Sequence, residues 1–153
     1  MHRALQLAQA SADAGEVPVG AVIVRDGVEI AAAANAMRAA KDPTAHAEME
    51  AIRQAARVLG NERLDGCDLW VTLEPCPMCA GAISHARIAR VYYAAPDPKG
   101  GGVDHGPRVF AHPTCHHRPE VYSGLGESPA SAMLKTFFAD RREKFARLAR
   151  GNA

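Results

Sequence analysis

Two short stretches of this chain hold residue types that do chemistry in combination. One is Thr44-Ala45-His46-Ala47-Glu48; the other is Glu74-Pro75-Cys76-Pro77-Met78-Cys79. Cys76 and Cys79 are three apart, which at the start of a helix puts two sulfurs on one face, one turn apart. Two thiolates and the imidazole of His46 make a three-ligand set for zinc. A fourth position left open is what a catalytic zinc requires and a structural zinc avoids, and water there can be deprotonated near neutral pH. Glu48 is the carboxylate next to this set, suited to moving protons. A Cys-x-x-Cys alone reads equally well as a redox pair or half of a structural zinc site, and a lone His-x-Glu says less. Their order, their separation and the strand–helix setting of the second half make the pair specific for catalytic zinc.

These residues must be positioned by regular elements. In mid-helix, His46 and Glu48 would point about 200° apart, so they converge only at a helix end. Thr44 is a suitable N-cap for a helix running to Leu59, with Ile52, Ala55, Ala56 and Leu59 buried and Gly60-Asn61 stopping it. Asp68 to Leu73 reads as a strand, followed by a helix with Pro75 at its first position and an end near His85. Both metal stretches then lie at helix N-termini, whose positive ends favour thiolate and hydroxide.

Elsewhere, residues 3–14 read as a helix ended by Gly15. Val19–Val24 and Val28–Ala34 read as strands joined by Asp26-Gly27, a strong hairpin signal. Ile88–Ala95 is another strand, and a short one lies near Glu120–Tyr122. Ser128-Pro129 opens a last helix with Leu134, Phe137, Phe138, Phe145 and Leu148 as its apolar side. Pro96 to Pro119 shows no period, and a segment of that length is commonly functional. Strands alternating with helices after an antiparallel hairpin imply an α/β fold: a three-layer α/β/α sandwich with a mixed five-stranded sheet.

The chain has 153 residues, 48% hydrophobic and 23% charged with net charge +1, as expected of one globular domain over 1–153. No apolar run approaches the ~20 residues of a membrane span, and the first residues lack the apolar stretch of a signal peptide. A cytoplasmic location is expected. The four cysteines then read as ligands or free thiols, with Cys67 as a small buried hydrophobe. Lys135, Arg141, Arg142, Lys144, Arg147 and Arg150 against Asp140 and Glu143 form either a surface for an anionic partner or a solvated helix face.

His46-Ala47-Glu48 with Pro75-Cys76-Pro77-Met78-Cys79 resembles the signature of the zinc deaminases of the cytidine/deoxycytidylate deaminase superfamily. The resemblance extends to bacterial tRNA-specific adenosine deaminases over nearly the whole chain, through Glu16–Val22, Asn35, Asp42–Glu48, Thr72–Cys76, Met78–Ile83, Ala86–Ile88, Asp97–Gly101, His112–His117 and Phe137-Phe138. It implies a cytidine deaminase-like fold, one zinc per subunit on His46, Cys76 and Cys79, and a homodimer acting on a tRNA anticodon stem-loop. It also implies hydrolytic deamination of adenosine to inosine at the wobble position, by zinc-activated hydroxide attack at C6. In that scheme Glu48 is the catalytic proton carrier and the backbone N–H near Cys76 orients the hydroxide. Asn35 contacts the nucleoside, Asp97 lines the pocket, and Val17, Leu73 and Phe138 are walls.

Other readings stand beside these. Asn35 also suits a turn, and Asp97 a loop cap. His112, Cys115, His116 and His117 have no characteristic ligand spacing and read as substrate contacts or loop packing rather than a second metal site. His85 and Trp70 read as structural. Pro77 also occurs in guanine deaminases of the superfamily, so a deaminase of free guanine, cytosine or a nucleoside is the alternative function. A third is an inactive zinc scaffold that binds RNA or a partner, against which the presence of Glu48 argues.

Overall fold

The structure, a computed structural model, describes residues 1–151. The order is α1 (His2–Asp13), β1 (Gly20–Arg25), β2 (Val28–Ala34), α2 (Met37–Ala40), α3 (Ala47–Leu59), β3 (Cys67–Leu73), α4 (Pro77–His85), β4 (Arg90–Ala95), a single 3-10 turn (Val109–Ala111), β5 (Glu120–Ser123) and α5 (Glu127–Gly151). The five strands form one sheet in the order β2-β1-β3-β4-β5. β1 runs antiparallel to β2 and β3, while β3, β4 and β5 are parallel. The mixed sheet is as expected, and so is the hairpin: Asp26 and Gly27 both take positive φ, 51° and 77°, the backbone that tight hairpins need.

Strand alternation sorts the side chains into two faces. Ala21, Ile23, Leu69, Val71, Val91 and Tyr93 form the main core with Ala47, Ala51 and Ala55 of α3 and Ala80 and Ile83 of α4. On the opposite face, Ala94 packs with Ala130 and Leu134 of α5, with Leu5 of α1 and with Met1, which caps α1. The sheet is thus sandwiched between α3/α4 and α1/α5, the expected three-layer architecture. Cys67 is fully buried in the main core, as expected of a small hydrophobe. α1 lies close on β1 because residue 20 is glycine: a Cβ there would run into the carbonyl of Ala4.

Several boundaries differ from the sequence expectation, each for a local reason. His46, with φ −71° and ψ 151°, is the N-cap of α3 in place of Thr44. Thr44 donates to Asp42 Oδ1 from both its N–H and its hydroxyl at 2.8 Å, which closes a turn ahead of the helix. Likewise Cys76 caps α4, so Pro77 rather than Pro75 holds the first helical position. β4 starts at Arg90 because Ala89 N bonds to Cys67 O and Arg87 adopts positive φ. On α5, Phe138, Phe145 and Leu148 are 44%, 66% and 58% exposed, so of the expected apolar side only Leu134 and Phe137 are half-buried. The short α2 carries no sequence signal.

Candidate active site

The β2–α3 connection and the β3–α4 connection meet beyond the carboxyl end of β3, the usual place for a site in such sheets. A turn held by His46 N to Thr44 O (2.8 Å) and Ala36 N to Ala45 O (3.0 Å) brings His46 to the start of α3. Residue 46 is therefore extended and residue 48 helical, so the two side chains converge. β3 carries Cys76 to the start of α4, where the first helical bond, Ala80 N to Cys76 O, spans 2.8 Å. Cys79 follows one turn on, fully buried.

His46 Nδ1 lies 3.6 Å from the Sγ atoms of both Cys76 and Cys79. The three donor atoms fall within 4.8 Å of one another, the one such group among the described residues. A tetrahedral zinc with Zn–S of ~2.3 Å and Zn–N of ~2.0–2.1 Å sets its nitrogen and sulfur ligands about 3.6 Å apart. The donor set and its spacing fit zinc, and zinc is the cofactor. His112, Cys115, His116 and His117 do not assemble into a comparable group. His117 Nε2 instead contacts Ile88 O at 2.6 Å, and Cys115 Sγ donates to His117 O at 3.2 Å, so these two pack the loop.

The electrostatics follow from crowding. Without the metal, the hydrogen bond from Cys79, aided by His46, holds Cys76 down to about 4, and the same bond together with burial pushes Cys79 up; bound zinc would replace the shared proton and leave both sulfurs as thiolates. His46 is raised, first by its hydrogen bond to Cys76. Glu48, 4% exposed, is pushed up to about 7, above all by burial and further by Cys76. A carboxyl near neutrality is suited to taking and giving a proton.

Against this cluster sits a cavity of about 250 Å³, lined by Val17, Val19, Asn35, Met37, His46, Glu48, Leu73, Glu74, Cys76, Asp97 and Gly100. The structure thus brings together Asn35, Asp97, Val17 and Leu73 with the zinc set and Glu48. Asn35 is buried, and its backbone is tied by Asn35 N to Val19 O (2.9 Å) and Ser11 Oγ to Asn35 O (3.1 Å). This fixes it in the wall rather than in a free turn. Asp97 both lines the cavity and caps its loop, its Oδ1 accepting from Lys99 N and Gly100 N at 3.1 and 2.9 Å. Phe138 stands outside. It borders a second cavity of about 690 Å³ that shares Val17, Leu73, Asp97 and Gly100 with the first and adds Lys99, Leu134, Lys135 and Arg142. Sequence reasoning passed over Met37, Val19 and Glu74 as site residues. For Glu74 a signal existed: an acid closing an apolar strand two residues before a ligand, with Gly100-Gly101-Gly102 offering a close backbone approach.

The family model described as the cytidine and deoxycytidylate deaminase zinc-binding region matches residues 1–95. A tRNA-specific adenosine deaminase from Agrobacterium fabrum (strain C58) is 56% identical over 142 residues, 93% of each chain. A solved structure from studies of A-to-I editing by tRNA deaminases at the wobble position of transfer RNA superposes with TM-score 0.87 at 57% identity, over 88% of this chain and 97% of that one. An X-ray structure of guanine deaminase from Bacillus subtilis is 39% identical, with TM-score 0.63, covering 92% and 90%. The chain belongs to the cytidine and deoxycytidylate deaminase family of zinc-dependent hydrolytic deaminases.

Proposed function

We propose that residues 1–153 form one zinc-dependent deaminase domain that converts adenosine to inosine at the wobble position of a tRNA anticodon, working as a cytoplasmic homodimer. The observation that carries this reading is that two cavities adjoin. The inner one, at the zinc ligands and Glu48, shares the walls Val17, Leu73, Asp97 and Gly100 with a larger groove edged by Lys99, Lys135 and Arg142. A free base needs no cationic groove; a flipped nucleotide with its flanking phosphates does. The overall similarity to tRNA-specific adenosine deaminases supports the same choice. Among the described residues no helix is long and apolar enough to cross a membrane.

His46, Cys76 and Cys79 hold the zinc, which when bound supplies a Lewis acid that makes water acidic near neutral pH. Glu48 takes the proton from the attacking water and delivers it to N1 of the adenine. It then takes the remaining proton from the new C6 hydroxyl and hands it to the departing amino group, so that the C6–N bond breaks and adenosine and water give inosine and ammonia. Asn35 has no side-chain partner among the described residues, leaving its amide to bond the nucleoside. Val17 and Leu73 flank the base, Asp97 stands toward sugar and backbone, and Phe138 meets a neighbouring nucleotide in the groove.

The deciding experiment is inosine formation in an anticodon stem-loop bearing a wobble adenosine, assayed beside free guanine and cytosine. Inosine in the loop alone is the expected result. Ammonia from a free base with the loop untouched would move the same chemistry to a free nucleobase; the Bacillus subtilis relative is a guanine deaminase.

A further inference from the structure

Glu74 closes β3 with a side chain wholly shielded from solvent, and no step assigned to Glu48 or the zinc ligands uses it. A buried carboxylate is costly unless both oxygens find donors. Here they do. Oε1 accepts the backbone N–H groups of Val103, Asp104 and His105 at 3.2, 2.9 and 3.0 Å. Oε2 accepts the N–H of Asp97 at 2.9 Å and faces His105 Nδ1 at 2.7 Å. Every one of these donors belongs to the loop 97–105.

The loop is also pressed onto the main chain of the metal-binding turn. Gly102 N donates to Pro75 O at 2.8 Å, and Gly101 N to Asp97 O at 2.9 Å. A Cβ on Gly101 would lie 2.5 Å from the Glu74 carboxyl, and one on Gly102 would lie 2.6 Å from Pro77 N. Glycine at both positions lets the chain wrap the carboxylate and touch the turn that presents Cys76. The same loop supplies Asp97 and Gly100 to the inner cavity and Lys99 to the groove.

We infer that Glu74 is a positioning residue, whose carboxylate gathers the 97–105 loop against the Pro75–Pro77 turn and so sets the substrate wall at Asp97 and Gly100 relative to the metal centre. Its oxygens are fully engaged, so it acts through the loop and not on the reacting atoms. The kinetic consequence rests on the deaminase reading above; the structural consequence does not.

Glu74→Gln keeps the shape but replaces one acceptor oxygen by a donor, turning it against the N–H groups it faced. In the zinc-loaded variant, amide hydrogen exchange at Asp97, Val103, Asp104 and His105 should quicken while Ala80, in α4, keeps its protection. KM for the stem-loop should rise about tenfold or more, in keeping with lost hydrogen bonds to a charged group, with kcat within about twofold and zinc still one per chain. Adding Asp97→Ala to Glu74→Gln should raise KM by less than the product of the single effects. His105→Ala removes a single donor from a half-exposed side chain and covers the case in which Glu74→Gln does not fold; it should raise KM by about threefold. Unchanged exchange at the four amides would overturn the inference. So would an unchanged KM in folded, zinc-loaded Glu74→Gln, or in His105→Ala where Glu74→Gln does not fold. The exchange measurement needs no substrate, so a wild type inactive on RNA would sink the substrate reading and still leave the clamp decided.

Discussion

His46 and Glu48 are two residues apart yet serve one point in space, because residue 46 is the extended cap and residue 48 is already helical. This division gives each a separable role. Glu48→Ala should keep one zinc per chain, read by metal analysis, and lose about a hundred- to ten-thousand-fold in inosine formation, the range a positioned proton carrier supplies. A variant retaining wild-type turnover would remove Glu48 from the mechanism. Removing the metal should act differently. A chelator should abolish turnover, and re-addition of zinc should restore it. Thermal unfolding of the metal-free protein should come earlier, since a ligand held only by the folded state at a hundredfold excess over its Kd contributes about 2.7 kcal/mol. Loss of activity without any loss of thermal stability would mean that the three donors do not hold the ion.

At the scale of elements, the least forgiving contact is α1 on β1. Gly20→Ala places a methyl group against the backbone of Ala4 and Ala8, which cannot swing aside as a long side chain would. The expected cost is about 1–3 kcal/mol of overpacking, or several degrees of midpoint in a thermal melt. Gly27→Ala meets no neighbouring atom and serves as the comparison, carrying only the strain of its positive φ. The elements were largely legible in the sequence because their cues are local: Asp26-Gly27 turns the hairpin, and Gly60 ends α3 at φ 60°. The caps were displaced by two residues where a polar side chain had another task, as when Thr44 bonds Asp42 and not the helix. Residues 97–105 gave no period because their shape is imposed by Glu74, more than twenty positions away, and by Gly102 against the main chain of Cys76 and Pro77. The zinc set was legible, and so was the placing of Glu48, Asn35 and Asp97 beside it. That Phe138 borders the groove and not the inner cavity depends on the path of α5, which its apolar spacing alone does not fix.

Across the whole molecule, the proposed RNA substrate calls for a surface that meets its phosphates. Lys99, Lys135 and Arg142 come from two segments far apart in sequence and edge one groove. If each meets a phosphate, stem-loop affinity should fall with salt with a log–log slope of about −2, and Arg142→Ala should make it shallower by about 0.7. Fluorescence anisotropy across a salt series reads both; an affinity indifferent to salt would detach α5 from the RNA. The C-terminal turns of α5, with Phe145 and Leu148 exposed beside Lys144 and Arg147, lie beyond that groove.

The two caps that present His46 and Cys76 have a consequence for descent. Ligands placed by the way two helices begin are inherited with the scaffold itself, whereas most of the walls facing the substrate come from elsewhere: the α1–β1 connection, the chain just after β2, the 97–105 loop and α5, with Leu73 of β3 the exception. A lineage can therefore exchange one purine-bearing molecule for another through changes in those walls, with no intermediate ancestor that lacks its metal. Innovation in what is deaminated and conservation of how it is deaminated are separated in this architecture by the chain's own geography.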